Sequence, residues 1–186
     1  MDYDVKEAVE VLKKGGVILY PTDTVWGIGC DATNTEAIKR IYEIKKRSDA
    51  KSMLILVDSI AMLEQWVPDV PEIAIQLAEV SIEPLTIIYD SAPALPALLK
   101  ASDGSIGVRV CNDDFCQTLC KDLRRPIVST SANISGTPTP AAFVNIDEEV
   151  KGKVDYIVKW RQDDTHNAQP SGIIKISKGG LFQIIR

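Results

Sequence analysis

An α/β fold, a twisted mixed β-sheet flanked by helices within a single domain, is what this sequence predicts, and three observations predict it. Short apolar runs at 17–20, 53–57, 84–89, 106–110 and 126–130 alternate with stretches whose apolar residues recur at helical spacing. The C-terminal stretch from residue 155 instead places strand-like runs near 155–159, 171–177 and 181–186 close together, which adds hairpin pairing to an otherwise alternating pattern. The length of 186 residues suits one domain (1–186), since a chain of that size buries roughly 70% of its unfolded surface. An apolar fraction of 45% and a charged fraction of 25% are ordinary for a globular protein.

Each element has a local reason. Val5, Ala8, Val9 and Leu12 share one helical face over 4–14, and Gly15-Gly16 ends that helix. Pro21 stops the 17–20 strand. Residues 22–31 read as a loop passing into a strand, with Gly27 and Gly29 for tight backbone passage. Asn34 is placed to cap a helix whose inner face is Ala37, Ile38, Ile41, Tyr42 and Lys45. Helical patterns follow at 59–66 and 71–81, the second opened by Pro71. Residues 93–100 read as a short helix or turn, and Asn112 is the expected cap of a helix through Leu123. A further helix is expected near 140–150, and 161–170 reads as a polar loop.

Composition excludes several classes. No apolar run approaches 18 residues, and the acidic start Met1-Asp2-Tyr3-Asp4 is unlike a signal peptide, so the expected location is the cytoplasm, with no membrane partner. A net charge of −5 argues against indiscriminate nucleic-acid binding, so any anion site must be local. Cys30, Cys111, Cys116 and Cys120 contain no C-x-x-C pair and read as buried reduced thiols. His166, the only histidine, reads as a loop residue.

Against that acidic background, Lys45-Lys46-Arg47-Ser48-Asp49-Ala50-Lys51 packs four cations into seven residues at the end of a helix. Cations suit the C-terminal end of a helix dipole, which is the bland explanation. However, Lys45 falls on the same face as Ile38 and Ile41, Lys46 points to solvent, and Arg47 and Lys51 follow the helix. A guanidinium with one or two ammonium groups neutralises a polyphosphate, arginine gripping it in bidentate fashion. Three segments join a strand to small hydroxyl residues: Tyr20 to Thr24, Ser129 to Gly136, and Pro170-Ser171-Gly172. Hydroxyls and backbone N–H groups at strand ends are common substrate contacts in open α/β sheets. Neither G-x-x-x-x-G-K-[ST] nor G-x-G-x-x-G occurs. Spacing alone reaches a small-molecule anion site, with a nucleotide among its candidate occupants.

Together these residues resemble the YrdC-like family of L-threonylcarbamoyladenylate synthases, of the single-domain type. Tyr20-Pro21-Thr22-Asp23-Thr24-Val25-Trp26-Gly27 is similar to its YPTDTVYG, with Trp for Tyr. Lys45-Lys46-Arg47 with Lys51 is similar to K-x-R-x-x-x-K, Pro84-Leu85-Thr86 to PLT, Ser105 to Arg109 to TVGVR, and Ser129 to Gly136 to STSAN-x-SG. The resemblance implies formation of threonylcarbamoyl-AMP and pyrophosphate from L-threonine, bicarbonate and ATP, for threonylcarbamoyl modification of tRNA adenosine 37. It implies Thr24, Arg109, Ser129 and Ser171 for threonine, with Arg109 on the carboxylate. For ATP it implies Arg47, Lys51, Ser131 and Asn133 with Lys45 in support, and Ser105, Thr139 and Arg186 as further contacts. No side-chain nucleophile is implied; Mg2+ accompanies ATP, held mainly by phosphates and water. The implied partners are tRNA and the downstream proteins that transfer the threonylcarbamoyl group to it. The resemblance also implies double-stranded RNA binding; an RNA-binding YrdC-like module and a divergent paralogue without synthase activity are the alternatives. The departures from the family pattern are Glu83 before PLT, Cys111 after Val110, and Gly172 and Lys175 in the strand that Ser171 opens.

Overall fold

The structure is a computed structural model, and it describes residues 1–46, 53–164 and 169–186. Helix α1 (Asp2–Lys13) buries Val5, Ala8, Val9 and Leu12, the i, i+3, i+4, i+7 stripe of an amphipathic helix. Its first turn also buries Asp4, whose Oδ1 accepts from the Tyr156 hydroxyl at 2.6 Å and from the Lys159 N–H at 2.9 Å. Strands β1 (Ile18–Tyr20) and β2 (Gly27–Gly29) flank the 21–26 loop and pair antiparallel. Helix α2 (Thr35–Lys45) starts where Asn34 Oδ1 accepts from the Ala37 N–H at 3.0 Å and stops at left-handed Lys46, φ 48°.

Strand β3 (Leu54–Val57) is followed by α3 (Ile60–Trp66), capped by Ser59, and α4 (Glu72–Val80). Strands β4 (Leu85–Tyr89) and β5 (Ile106–Val110) are joined through a 3-10 turn at Ala97–Leu99. Helix α5 (Asp114–Leu123) buries Phe115, Cys116, Leu119, Cys120 and Leu123, and lies against α1. Strand β6 (Ile127–Ser131) comes next, then the short helix α6 (Glu148–Lys151), β7 (Tyr156–Ile157), β8 (Gly172–Ile176) and β9 (Phe182–Ile184).

Among the described residues the strands form one sheet in the order β7-β1-β2-β6-β3-β5-β4-β8-β9. Three contacts are parallel, β1 with β7, β3 with β5 and β4 with β8, and the other five are antiparallel. The predicted α/β class with a mixed sheet and a C-terminal hairpin is therefore what the chain adopts. All four cysteines are buried and free. Among the described residues no helix is long and apolar enough to cross a membrane.

Two expectations need correction. The cap of α5 is Asp113, whose Oδ1 accepts from the Cys116 N–H at 3.0 Å; the helix starts one residue later than expected, and Asn112 turns its amide to the Ser81 carbonyl. The helix expected near 140–150 is a 3-10 turn at Phe143–Asn145 followed by the single turn of α6. Asp147 restarts the chain there by accepting from the Glu149 N–H, the local bond by which such side chains compete with a continuous helix. His166 lies outside the described residues.

Gly29 shows how closely the central strands approach. A Cβ there would sit 2.5 Å from the Val128 carbonyl oxygen and 2.7 Å from the Tyr20 ring. Gly29→Ala should therefore destabilise the fold by about 2 kcal/mol, read as a lower urea midpoint at constant m; an unchanged midpoint would mean that β2 sits further from β6.

Candidate functional site

Sheet register brings distant residues to one face. Side chains alternate along a strand, and directly paired residues point the same way. Gly27 pairs with Ser131, Leu54 with Ser129, Leu56 with Arg109, and Thr86 with Ile173. The same alternation sends Ile55, Val57, Val108 and Val128 to the opposite, buried face. On the first face lies a cavity of about 260 Å³ whose wall includes Thr24, Arg109, Ser129, Ser131, Thr139, Ser171 and Arg186. Seven of the residues implied for threonine or ATP thus meet in one place, with Met53, Leu54, Val25 and Pro170 as its apolar part.

The hydroxyls are held by specific bonds. Thr22 Oγ1 donates to the Val25 carbonyl at 2.9 Å and accepts from the Thr24 N–H at 3.0 Å, while the two threonine hydroxyls lie 2.9 Å apart. With the Thr22 proton used on Val25, Thr24 donates to Thr22 and its lone pairs remain for a ligand N–H. Ser171 shares a hydrogen bond of 2.8 Å with Thr86, and its carbonyl accepts from Arg186 Nε and Nη2 at 3.2 and 3.0 Å. The PLT segment, the 170–172 segment and the final arginine are therefore one unit.

The opposite wall depends on Lys45. Its side chain is 2% exposed, and Nζ donates to the carbonyls of Ser131 at 2.5 Å and Asn133 at 2.7 Å. The Ser135 N–H returns a bond to the Lys45 carbonyl at 2.8 Å. Within the turn, Ser131 Oγ donates to Asn133 Oδ1, and the Asn133 amide donates to the Ile134 and Thr137 carbonyls. Lys45 thus reaches the site from behind the 131–135 turn. Lys46 is 56% exposed, and its Nζ lies 2.9 Å from the Glu149 carboxylate, as expected of the solvent-facing member. Arg47 and Lys51 lie outside the described residues. Ser105 is not in the cavity wall; its hydroxyl donates to Asp103 Oδ1, and it stands at the far end of β5 from Arg109.

Sequence reasoning assigned no role to Asp23. Its Oδ1 lies 3.0 Å from Arg109 Nη2, and both side chains are buried. That contact is an ion pair without hydrogen-bond alignment: both Asp23 oxygens and Arg109 Nε have no hydrogen-bond partner. Burial pushes the Asp23 carboxyl above its ordinary 3.8, Arg109 opposes that rise, and Asp113 adds to it. The readable signal was a carboxylate next to the predicted site residue Thr24; its pairing with Arg109 required the fold.

A family model, Sua5_yciO_yrdC, described as "Telomere recombination", matches residues 10–186. The chain is 32% identical over 182 residues to the threonylcarbamoyl-AMP synthase of Pseudoalteromonas translucida, covering 96% of each. It superimposes on E. coli YciO with a TM-score of 0.86 at 25% identity, covering all of this chain and 89% of that one. It matches P. abyssi Sua5 complexed with L-threonine at a TM-score of 0.84 and 27% identity, covering 94% of this chain and 51% of that one.

Two outcomes follow from the local chemistry. Lys45→Met should lower stability by about 3 kcal/mol, because the Ser131 and Asn133 carbonyls lose a buried charged donor; a urea midpoint equal to wild type would show that water replaces the ammonium. The Asp23 carboxyl, followed by carbon NMR, should titrate above 3.8. Such a raised pKa favours the protonated form in the fold, so this group's share of stability is present at acid pH and lost as pH rises through its folded pKa. A midpoint at or below 3.8 would mean that Arg109 outweighs burial.

Proposed function

Since the chain belongs to the Sua5/YciO/YrdC family, we propose that it is an L-threonylcarbamoyladenylate synthase, joining L-threonine, bicarbonate and ATP into threonylcarbamoyl-AMP and pyrophosphate. One observation carries the reading: residues implied separately for threonine and for ATP, spread from Thr24 to Arg186, share a single cavity. A synthase of this kind needs both reactants within bonding distance and charge stabilisation on phosphate, and no covalent intermediate on the protein.

In this reading the threonine carboxylate pairs with Arg109 and its amine with Thr24, beside Ser129 and Ser171. The triphosphate lies along Ser131 and Asn133, with Arg47, Lys51 and Arg186 supplying positive charge and Lys45 holding the turn. Thr139 also borders an open groove of about 520 Å³ lined by Asn133, Thr137, Asn145 and Asp147, which gives the nucleoside end room beyond the cavity. A C–N bond forms between the threonine nitrogen and the bicarbonate carbon, with loss of water. An O–P bond forms to the α-phosphorus as the bond to pyrophosphate breaks. Among the described residues the cavity wall carries hydroxyls and guanidinium groups, a donor set suited to phosphate rather than to a dedicated metal cage. Mg2+ would therefore be held by the phosphates and water, and would neutralise charge on them. The product's destination is tRNA adenosine 37, reached through the proteins that carry out the transfer.

Incubation with ATP, bicarbonate and threonine should release pyrophosphate only when threonine is present; release without that dependence would overturn the reading. Arg47→Ala and Lys51→Ala should each weaken ATP binding about tenfold, the size of one charge-assisted contact, with the melting temperature kept. Arg109→Ala should raise the threonine requirement more than the ATP requirement; equal rises would place Arg109 elsewhere.

A further inference from the structure

Asp23 and Arg109 form an incomplete pair beside the cavity. Arg109 is 3% exposed and lines the cavity, whereas Asp23, one residue before Thr24, does not line it. A saturated arginine–carboxylate pair is bidentate, with two parallel N–H···O bonds. Here a single Nη2–Oδ1 approach of 3.0 Å is made, and Arg109 Nε, also buried, has no acceptor. Asp23 thus leaves the guanidinium unsaturated, and because Arg109 lines the cavity the guanidinium retains capacity for a second anion on that side. It also has a fixed counter-charge at its back.

We propose that Asp23 is a positioning residue for the carboxylate-bearing substrate: it anchors Arg109 by one nitrogen, so that the remaining donors face the cavity and meet an amino-acid carboxylate without first being ordered. The proposal rests on the functional reading above, and deepens it by naming what holds Arg109 ready. Arginine has large rotamer freedom, and a side chain already fixed loses less of it when a ligand binds. The loop supports this role: the Thr22 hydroxyl spans Asp23 by accepting from the Thr24 N–H and donating to the Val25 carbonyl, and Arg161 Nη1 donates to the Thr22 carbonyl at 3.2 Å. Asp23 is thereby set on a braced turn, and the charge it presents to Arg109 is fixed in place.

Calorimetric binding of L-threonine and of ATP to the full chain tests the proposal. Asp23→Asn, which keeps the size and removes the charge, should weaken threonine about tenfold and leave ATP within about twofold, the magnitude of one charge-assisted bond. In an Arg109→Ala background the same change should cost nothing further, because Asp23 acts through Arg109. Equal loss of both ligands, or an additive effect in the double variant, overturns the proposal. Should Asp23→Asn fail to fold, the wild-type chain supplies the second measurement. Threonine affinity should fall as pH is lowered through the Asp23 titration, and should still fall in Asp113→Asn. The charged and titratable groups facing Asp23 are Arg109 from β5, Asp113 at the head of α5 and Cys111 between them; a flat profile overturns the proposal. A wild-type chain that binds no threonine overturns the functional reading itself, whereas threonine binding unaltered in Asp23→Asn overturns only the role of Asp23.

Discussion

A buried ammonium group organises the site. Burying a lysine charge is expensive unless several acceptors replace its water. Lys45 finds them in the carbonyls of Ser131 and Asn133, at the place where β6 leaves the sheet. The return bond from the Ser135 N–H to the Lys45 carbonyl closes the clamp in both directions. The end of α2 and the 131–135 turn are consequently fixed to one another. Lys46 at the helix end and the hydroxyl turn both take their positions from this contact. Main-chain carbonyls suit the task because they are pinned at both ends and cannot turn away.

The sheet supplies the rest by alternation. One face of β6, β3 and β5 presents Ser129, Ser131 and Arg109 beside buried Leu56 and Ile127, and the other presents Ile55, Val57, Val108 and Val128 to the core. A one-residue slip of β6 would exchange serines for Val128 and Thr130 and destroy both the cavity and the core at once. Gly29, with no room for a Cβ against Val128 and Tyr20, keeps β2 close enough for that register to hold.

Much of this was legible because local signals agreed with the tertiary outcome. The Asn34 cap, the α1 stripe and the apolar strands each announce themselves by spacing, and the resemblance assembled the hydroxyl segments into one site. The cap of α5 was misplaced because Asn112 and Asp113 are both good caps, and only the register of the helix decides between them. The helix near 140–150 failed because Asp147 bonds the backbone of Glu149, which propensity sums do not register. The pairing of Asp23 with Arg109 joins residues far apart in the chain, and nothing in spacing reports such a contact. Lys45 was expected as support for phosphate; its burial behind the turn emerges only when β6 is in place.

The wall contacts also carry a consequence in time. Lys45 meets Asn133 across 88 residues, and Thr86 meets Ser171 across 85. Strand β3, made early, has β6 and β5 as its neighbours, both made later. Pairings of such long range are slow to form, since loop closure must precede the contacts that reward it. On a chain emerging from the ribosome, the first half therefore carries half of a cavity and exposed apolar strand edges. The cavity wall is complete only once Ser171 and Arg186 have arrived. Any fragment ending earlier would bear most of the recognisable motifs and still leave the wall open where Ser171 and Arg186 stand.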